Sequence, residues 1–90
     1  LYGMASDASM RAATSALRPV MRLVTRVVHL QTVAPGETVS YARLWSPAAP
    51  TRVATLAGGY GDGLPRRLSD GAHVGLGGRL VPVVGRVCMD

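Results

Sequence analysis

One short stretch, Gly58-Gly59-Tyr60-Gly61-Asp62-Gly63, limits the fold more than any other part of the chain. Glycine accepts positive φ and lets another backbone or a ligand come close, so a chain with this spacing turns sharply here. The apolar run Val53-Ala54-Thr55-Leu56 leads into it and reads as a strand, so the turn presents Tyr60 at a rim. A phenol among glycines is a candidate proton-transfer group, although an ordinary phenol, with its pKa of about 10, needs cationic neighbours to work at neutral pH. The plain alternative is a Gly/Asp-rich turn whose tyrosine packs, and spacing alone leaves both open.

Composition narrows the rest. Ninety residues make one small domain or part of a larger one, a size at which burial is marginal and disulfides, metals or partners often make up the shortfall. The single cysteine, Cys88, permits no internal disulfide, and His29 and His73 are isolated, so no metal-ligand spacing exists. His29 reads as a hydrogen-bonded sheet residue. A lone thiol suits a reducing compartment, and the expected location is cytoplasmic. No apolar run approaches the roughly 18 residues of a membrane span, and no signal-peptide pattern opens the chain. The net charge is +5 and every basic side chain is an arginine. The arginines are scattered, with only Arg66-Arg67 adjacent, and the aromatics do not interleave with them as on single-stranded nucleic-acid platforms. A solvated basic surface is expected, without nucleic acid or membrane as partner. A small basic β module that binds nucleic acid or anions is the alternative outside the enzymes, and steep salt dependence would reveal it. The chain starts at Leu1 and stops at Asp90 straight after a strand-like run, so it reads as an internal segment of a longer one.

In chain order, residues 5–16 form either a short helix stopped by Pro19 or an irregular connector. Val20 to Val33 alternates over fourteen residues rich in β-branched side chains and predicts a long strand that bends or serves two sheets. Pro35-Gly36 predicts a turn, and Glu37 to Tyr41 a second strand. Trp45 to Pro50 is a loop, Arg52 to Leu56 a third strand, and residues 64–71 are irregular. Residues 72–76 and 79–84 predict a hairpin around Gly77-Gly78. Pro82 belongs at an edge, a bulge or a break, because it cannot donate to a ladder. Gly85 to Asp90 resumes as a strand. Short strands with glycine turns predict an all-β sandwich or barrel-like domain.

Several stretches then line up at family spacing. Leu17-Arg18-Pro19-Val20-Met21, Arg26-Val27-Val28-His29 and Gly36-Glu37-Thr38-Val39-Ser40-Tyr41 precede Gly59-Tyr60-Gly61-Asp62-Gly63, and Gly85-Arg86-Val87-Cys88-Met89-Asp90 closes the chain. The whole resembles the alanine racemases, which use pyridoxal 5'-phosphate to interconvert L- and D-alanine. The resemblance implies a mainly β fold: a partial C-terminal β-sandwich or barrel-like domain of a two-domain enzyme whose N-terminal (β/α)8 barrel is missing. Residues 1–16 would be the end of the barrel and a connector, and 17–90 the first part of the C-terminal domain. It departs from the family pattern at Gly58, at Gly61 where alanine is usual, and at Leu64 where an aromatic is usual.

The resemblance further implies a homodimer with shared active sites. The tyrosine matching Tyr60 would serve as acid/base on one face of the substrate, and a barrel lysine holding the cofactor would serve the other. Two-sided acid/base chemistry suits racemisation, because a proton leaves one face and returns to the opposite one. The cofactor ring spreads the carbanion charge in between. An arginine beside the phenol would come from the barrel, outside this sequence. Met89 would help position the substrate carboxylate, and Arg86, Asp62 and Asp90 would neighbour the entrance or active-site floor. Core packing for Met89 and a surface ion pair for Arg86 stay open as alternatives, and Cys88 is expected to pack as a small apolar residue. The chain contains no lysine, so it cannot form the Schiff base itself. Serine or a broader amino-acid range remains a second substrate reading.

Overall fold

The computed structural model describes residues 16, 18, 20–69 and 71–90. The helix or connector at 5–16 therefore lies almost wholly outside the described residues. Among the described residues the architecture is four antiparallel strands in two pairs, joined by 3-10 turns. Strand β1 (Val27–Val33) pairs with β2 (Thr51–Leu56), and β3 (His73–Leu76) pairs with β4 (Arg79–Pro82).

The long strand expected from Val20 is shorter than its pattern. Alternation continues from Val20 to Val33, but ladder pairing begins only at Val27, with a register irregularity between Val27 and His29. The reason is the partner. β2 ends at Leu56, and Gly58 at φ 153° turns the chain away, so residues 20–26 have no ladder to join. The last links are Ala57 N–H donating to Arg26 O at 3.1 Å and the Thr25 hydroxyl donating to Ala57 O. His29 lies in β1 opposite Thr55, as a sheet residue should.

The turn at Pro35-Gly36 forms, closed by Glu37 N–H to Ala34 O at 3.1 Å and by the Glu37 carboxylate accepting from Ala34 N–H at 2.7 Å. The second strand predicted over Glu37 to Tyr41 does not form. Val39 makes one isolated antiparallel bridge to Trp45, and Tyr41–Arg43 is a 3-10 turn. Ser40, Ala42 and Arg43 take φ of 66°, 65° and 51°, which no β ladder accommodates.

The hairpin is where the sequence puts it. Gly77 and Gly78 take φ of 56° and 80°, the paired left-handed values of a two-residue turn that matches strand twist. Pro82 ends β4 opposite His73, and Val83 N–H then donates to Ala72 O at 2.8 Å. The final strand predicted over Gly85 to Asp90 is also absent. That segment joins no sheet and serves instead as a hydrogen-bonded support for the turns described below.

Little apolar surface is buried. Val33 is the one buried aliphatic side chain among the described residues, whereas Val20, Leu23, Val24 and Leu80 are each more than two-thirds exposed. Isolated two-stranded ribbons are marginal in water, so most of the stability of this domain must come from contacts beyond these pairs. The turn itself is testable. Gly78→Val should cost about 1–2 kcal/mol in urea unfolding of the intact protein, because it forces a β-branched residue into the left-handed region, while Gly77→Asn should be nearly neutral.

Candidate active site

The site is built on one extended segment, Arg86 to Met89, against which three tight turns close. The first carries Tyr60. Leu56 ends β2, and the chain doubles back through the 3-10 turn Tyr60–Asp62. Asp62 closes it twice: its carboxylate accepts from Gly59 N–H at 3.0 Å, and its N–H donates to Gly59 O at 3.0 Å. Leu64 N–H adds a bond to Gly59 O at 3.2 Å, and Gly63 at φ 95° supplies the left-handed exit. The turn then hydrogen-bonds to the closing segment, Tyr60 N–H to Cys88 O at 2.9 Å and Gly61 N–H to Met89 O at 2.7 Å.

Gly59 makes that approach possible. A Cβ built there would overlap the Cys88 carbonyl oxygen and lie 2.6 Å from Asp90 N. Its φ of −156° is ordinary extended backbone, so space and not conformation demands glycine. Gly61 is crowded to a lesser degree, with a Cβ 2.8 Å from Met89 O. Glycine at position 61 thus admits a close approach of the Met89 backbone.

The second turn, Arg66–Ser69, sits beside the first. Ser69 Oγ donates to Arg66 O at 2.7 Å and accepts from Val87 N–H at 2.8 Å, tying this turn to the same segment. The Arg66 guanidinium lies over the Tyr60 ring, 5.5 Å from its centroid. Cation–ring attraction of this kind holds a ring in place without consuming its hydroxyl. The arginine expected from outside this sequence thus has a counterpart within it, Arg66 beside the Tyr60 ring. Arg66 and Arg86 also line one cleft together with Leu44, Trp45, Val83 and Val84.

The third turn carries Tyr41. Ser40 Oγ donates to Arg86 O at 2.8 Å and lies 3.5 Å from Cys88 Sγ. The backbone at Gly85 comes so near that a Cβ there would sit 2.8 Å from Ser40 Cβ. Tyr41 is 72% exposed and Tyr60 42% exposed, so neither phenol is shut in a packed interior.

The residues singled out from the sequence fall as follows. Tyr60, Asp62 and Met89 meet in one place, with Asp62 acting on the turn's backbone and Met89 contributing its carbonyl while its side chain stays 59% exposed. Arg86 and Asp90 are exposed on the same segment. Cys88 is half-buried between Ser40 and Arg86 O. Leu64 is half-buried with Cδ1 3.7 Å from where a Gly58 Cβ would stand, so it packs back onto the turn. No group of three or more potential metal ligands occurs among the described residues.

Sequence reasoning gave Tyr41, Ser40, Ser69 and Arg66 no part in this site. Pairing across 18 to 48 residues brings in the Ser40-Tyr41 turn and Ser69, and no local pattern marks it, whereas Arg66 reaches the Tyr60 ring from six positions away. Gly85 was visible as part of the closing motif, though its use, making room for Ser40, was not.

The family model described as "Alanine racemase, C-terminal domain" matches residues 20–90. The chain belongs to the alanine racemase family. It is 52% identical to the alanine racemase of Deinococcus radiodurans over 75 residues, 83% of this chain and 21% of that protein. It superposes on the biosynthetic alanine racemase of Pseudomonas aeruginosa with a TM-score of 0.89 at 40% identity, covering 99% of this chain and 25% of that one. A Bartonella henselae alanine racemase structure with covalently bound pyridoxal phosphate matches 71% of this chain and 18% of its own, at 34% identity and a TM-score of 0.68. The chain thus spans about a quarter or less of the length of these relatives.

Crowding at Gly59 makes a direct test. Gly59→Ala should destabilise the intact protein by at least about 2 kcal/mol, since backbone and not a flexible side chain must move. Gly61→Ala should cost less, and chemical denaturation of the two variants would rank them.

Proposed function

We propose that this chain forms part of the active site of an alanine racemase, supplying a phenol that carries a proton at one face of the substrate α-carbon. Family membership supports the reaction, and the observation that carries the site is the convergence of both tyrosine turns on the Arg86 to Met89 segment. Racemisation needs one acid/base group per face, and the group for the second face is a lysine outside these ninety residues. Pyridoxal phosphate, when bound, is the electron sink for the α-carbon's charge. This chain has no lysine to hold it covalently, so the anchor lies elsewhere in the protein. The active sites are shared between the two subunits of a homodimer. Met89 positions the substrate carboxylate, and Asp90 lies at the rim with it. The cleft bearing Arg66 and Arg86 draws the anionic end of alanine toward the entrance.

Tyr60 is the proton carrier that the sequence nominates. Its backbone is fixed by two turns of hydrogen bonding and its ring lies beneath a cation. A specific observation favours a second reading, in which Tyr41 carries the proton and Tyr60 forms the wall beside it. Tyr41 is the more exposed phenol, and it stands among three non-glycine residues at positive φ. Backbone strain of that kind concentrates at functional sites, where surrounding contacts hold it in place.

Phenylalanine substitutions separate the two in the intact enzyme. α-Proton exchange is followed from L- and from D-alanine in deuterium oxide, with cofactor absorbance as the control for binding. If Tyr60 is the carrier, Tyr60→Phe slows exchange at one face by at least about a hundredfold. If Tyr41 is the carrier, Tyr41→Phe does so and Tyr60→Phe chiefly raises KM. Normal exchange at both faces in both variants would exclude this proposal. The ninety-residue chain by itself should show neither alanine turnover nor the absorbance of covalently bound cofactor when mixed with pyridoxal phosphate.

A further inference from the structure

Ser40 occupies φ 66°, ψ −177°, a region of backbone space almost reserved for glycine. It is not released from that conformation because contacts hold it on both sides. Its hydroxyl donates to the Arg86 carbonyl at 2.8 Å. Gly85, itself at φ 75°, brings its backbone against Ser40 and within 3.2 Å of Val39 O, measured from a Cβ position that glycine leaves empty. Beyond the turn, Val39 N–H donates to Trp45 O at 3.2 Å, closing the loop's other side. Tyr41 is left at the tip of a loop fastened at its base, with its ring facing outward.

We infer that Ser40 is a positioning residue: its hydroxyl latches the strained turn to the Arg86 carbonyl and so aims the Tyr41 phenol. The latch uses the same segment whose Cys88 and Met89 carbonyls hold the Tyr60 turn. The two tyrosine-bearing turns are thereby tied to one support, although 19 positions separate the tyrosines in sequence. This inference rests on the reading that Tyr41 carries the proton. A strained serine fits such a role better than a structural one. Glycine would give the same backbone path at lower conformational cost, so the serine side chain must contribute something that glycine lacks.

Ser40→Gly in the intact enzyme is the test, because glycine adopts this φ and ψ freely and the variant should fold. The expected result is a melting temperature unchanged or raised. Exchange at the Tyr41 face should slow about tenfold or more, as misaimed groups do, while the opposite face stays within about twofold. Tyr41→Phe runs alongside. Equal slowing at both faces in Ser40→Gly would mark a general structural role and overturn the latch. Unchanged exchange at both faces in Ser40→Gly, with one face lost in Tyr41→Phe, overturns the latch and leaves Tyr41 as the carrier. Unchanged exchange in Tyr41→Phe overturns the reading and the latch together.

Discussion

The site depends on the hydrogen bonding of one extended backbone segment, Arg86 to Met89, which no strand pairs. Its groups are taken up one by one by turns: Arg86 O by Ser40, Val87 N–H by Ser69, Cys88 O by Tyr60 and Met89 O by Gly61. Backbone N–H and C=O groups left out of a sheet find their partners elsewhere, and in this half-exposed segment the turns provide them. Here those partners belong to the turns that bear Ser40 and Tyr41, Tyr60 and Gly61, and Ser69. One requirement of the backbone thus arranges two tyrosines, a methionine and an arginine cleft around a common support.

Glycine makes that arrangement physically possible, for two different reasons. At Gly59 the conformation is ordinary and the space is missing, since a methyl group would occupy the Cys88 carbonyl. At Gly85 space and conformation both exclude a side chain, with φ at 75° and Ser40 close by. Close approach shortens the bonds between segments that propensity alone would leave apart. The cost appears in the nearby turn, where Ser40, Ala42 and Arg43 hold positive φ without being glycine. Such residues persist only where surrounding contacts over-determine them. That sets the Tyr41 turn apart from the Gly77-Gly78 hairpin, whose positive φ values fall on glycines and need no such contacts.

The sparse core is consistent with the same organisation. One aliphatic side chain is buried among the described residues, while a row of valines and leucines from Val20 to Leu30 remains open. The chain spans about a quarter or less of its relatives' length. A domain of this kind draws its rigidity at the site from polar backbone contacts across long sequence separations. Hydrophobic burial contributes mainly at Val33, in the ladder between β1 and β2.

The sequence by itself determined the β character, the turn at Pro35-Gly36, the hairpin, the β2 strand and the glycine turn beneath Tyr60. Each follows from a local rule: alternation, β-branching, or glycine where positive φ or close approach is needed. It also determined the family, because two specific motifs stand in order at family spacing. Tertiary structure alone decided that Val20 to Arg26 joins no ladder, that Glu37 to Tyr41 forms no strand and runs into a 3-10 turn, and that Gly85 to Asp90 supports turns and joins no sheet. Alternation records which faces a strand would show, and not whether a partner strand is present to pair with it. Nothing local marks Ser40 for positive φ either, since the hydroxyl contacts that hold it there come from Arg86 and Cys88, more than forty positions away.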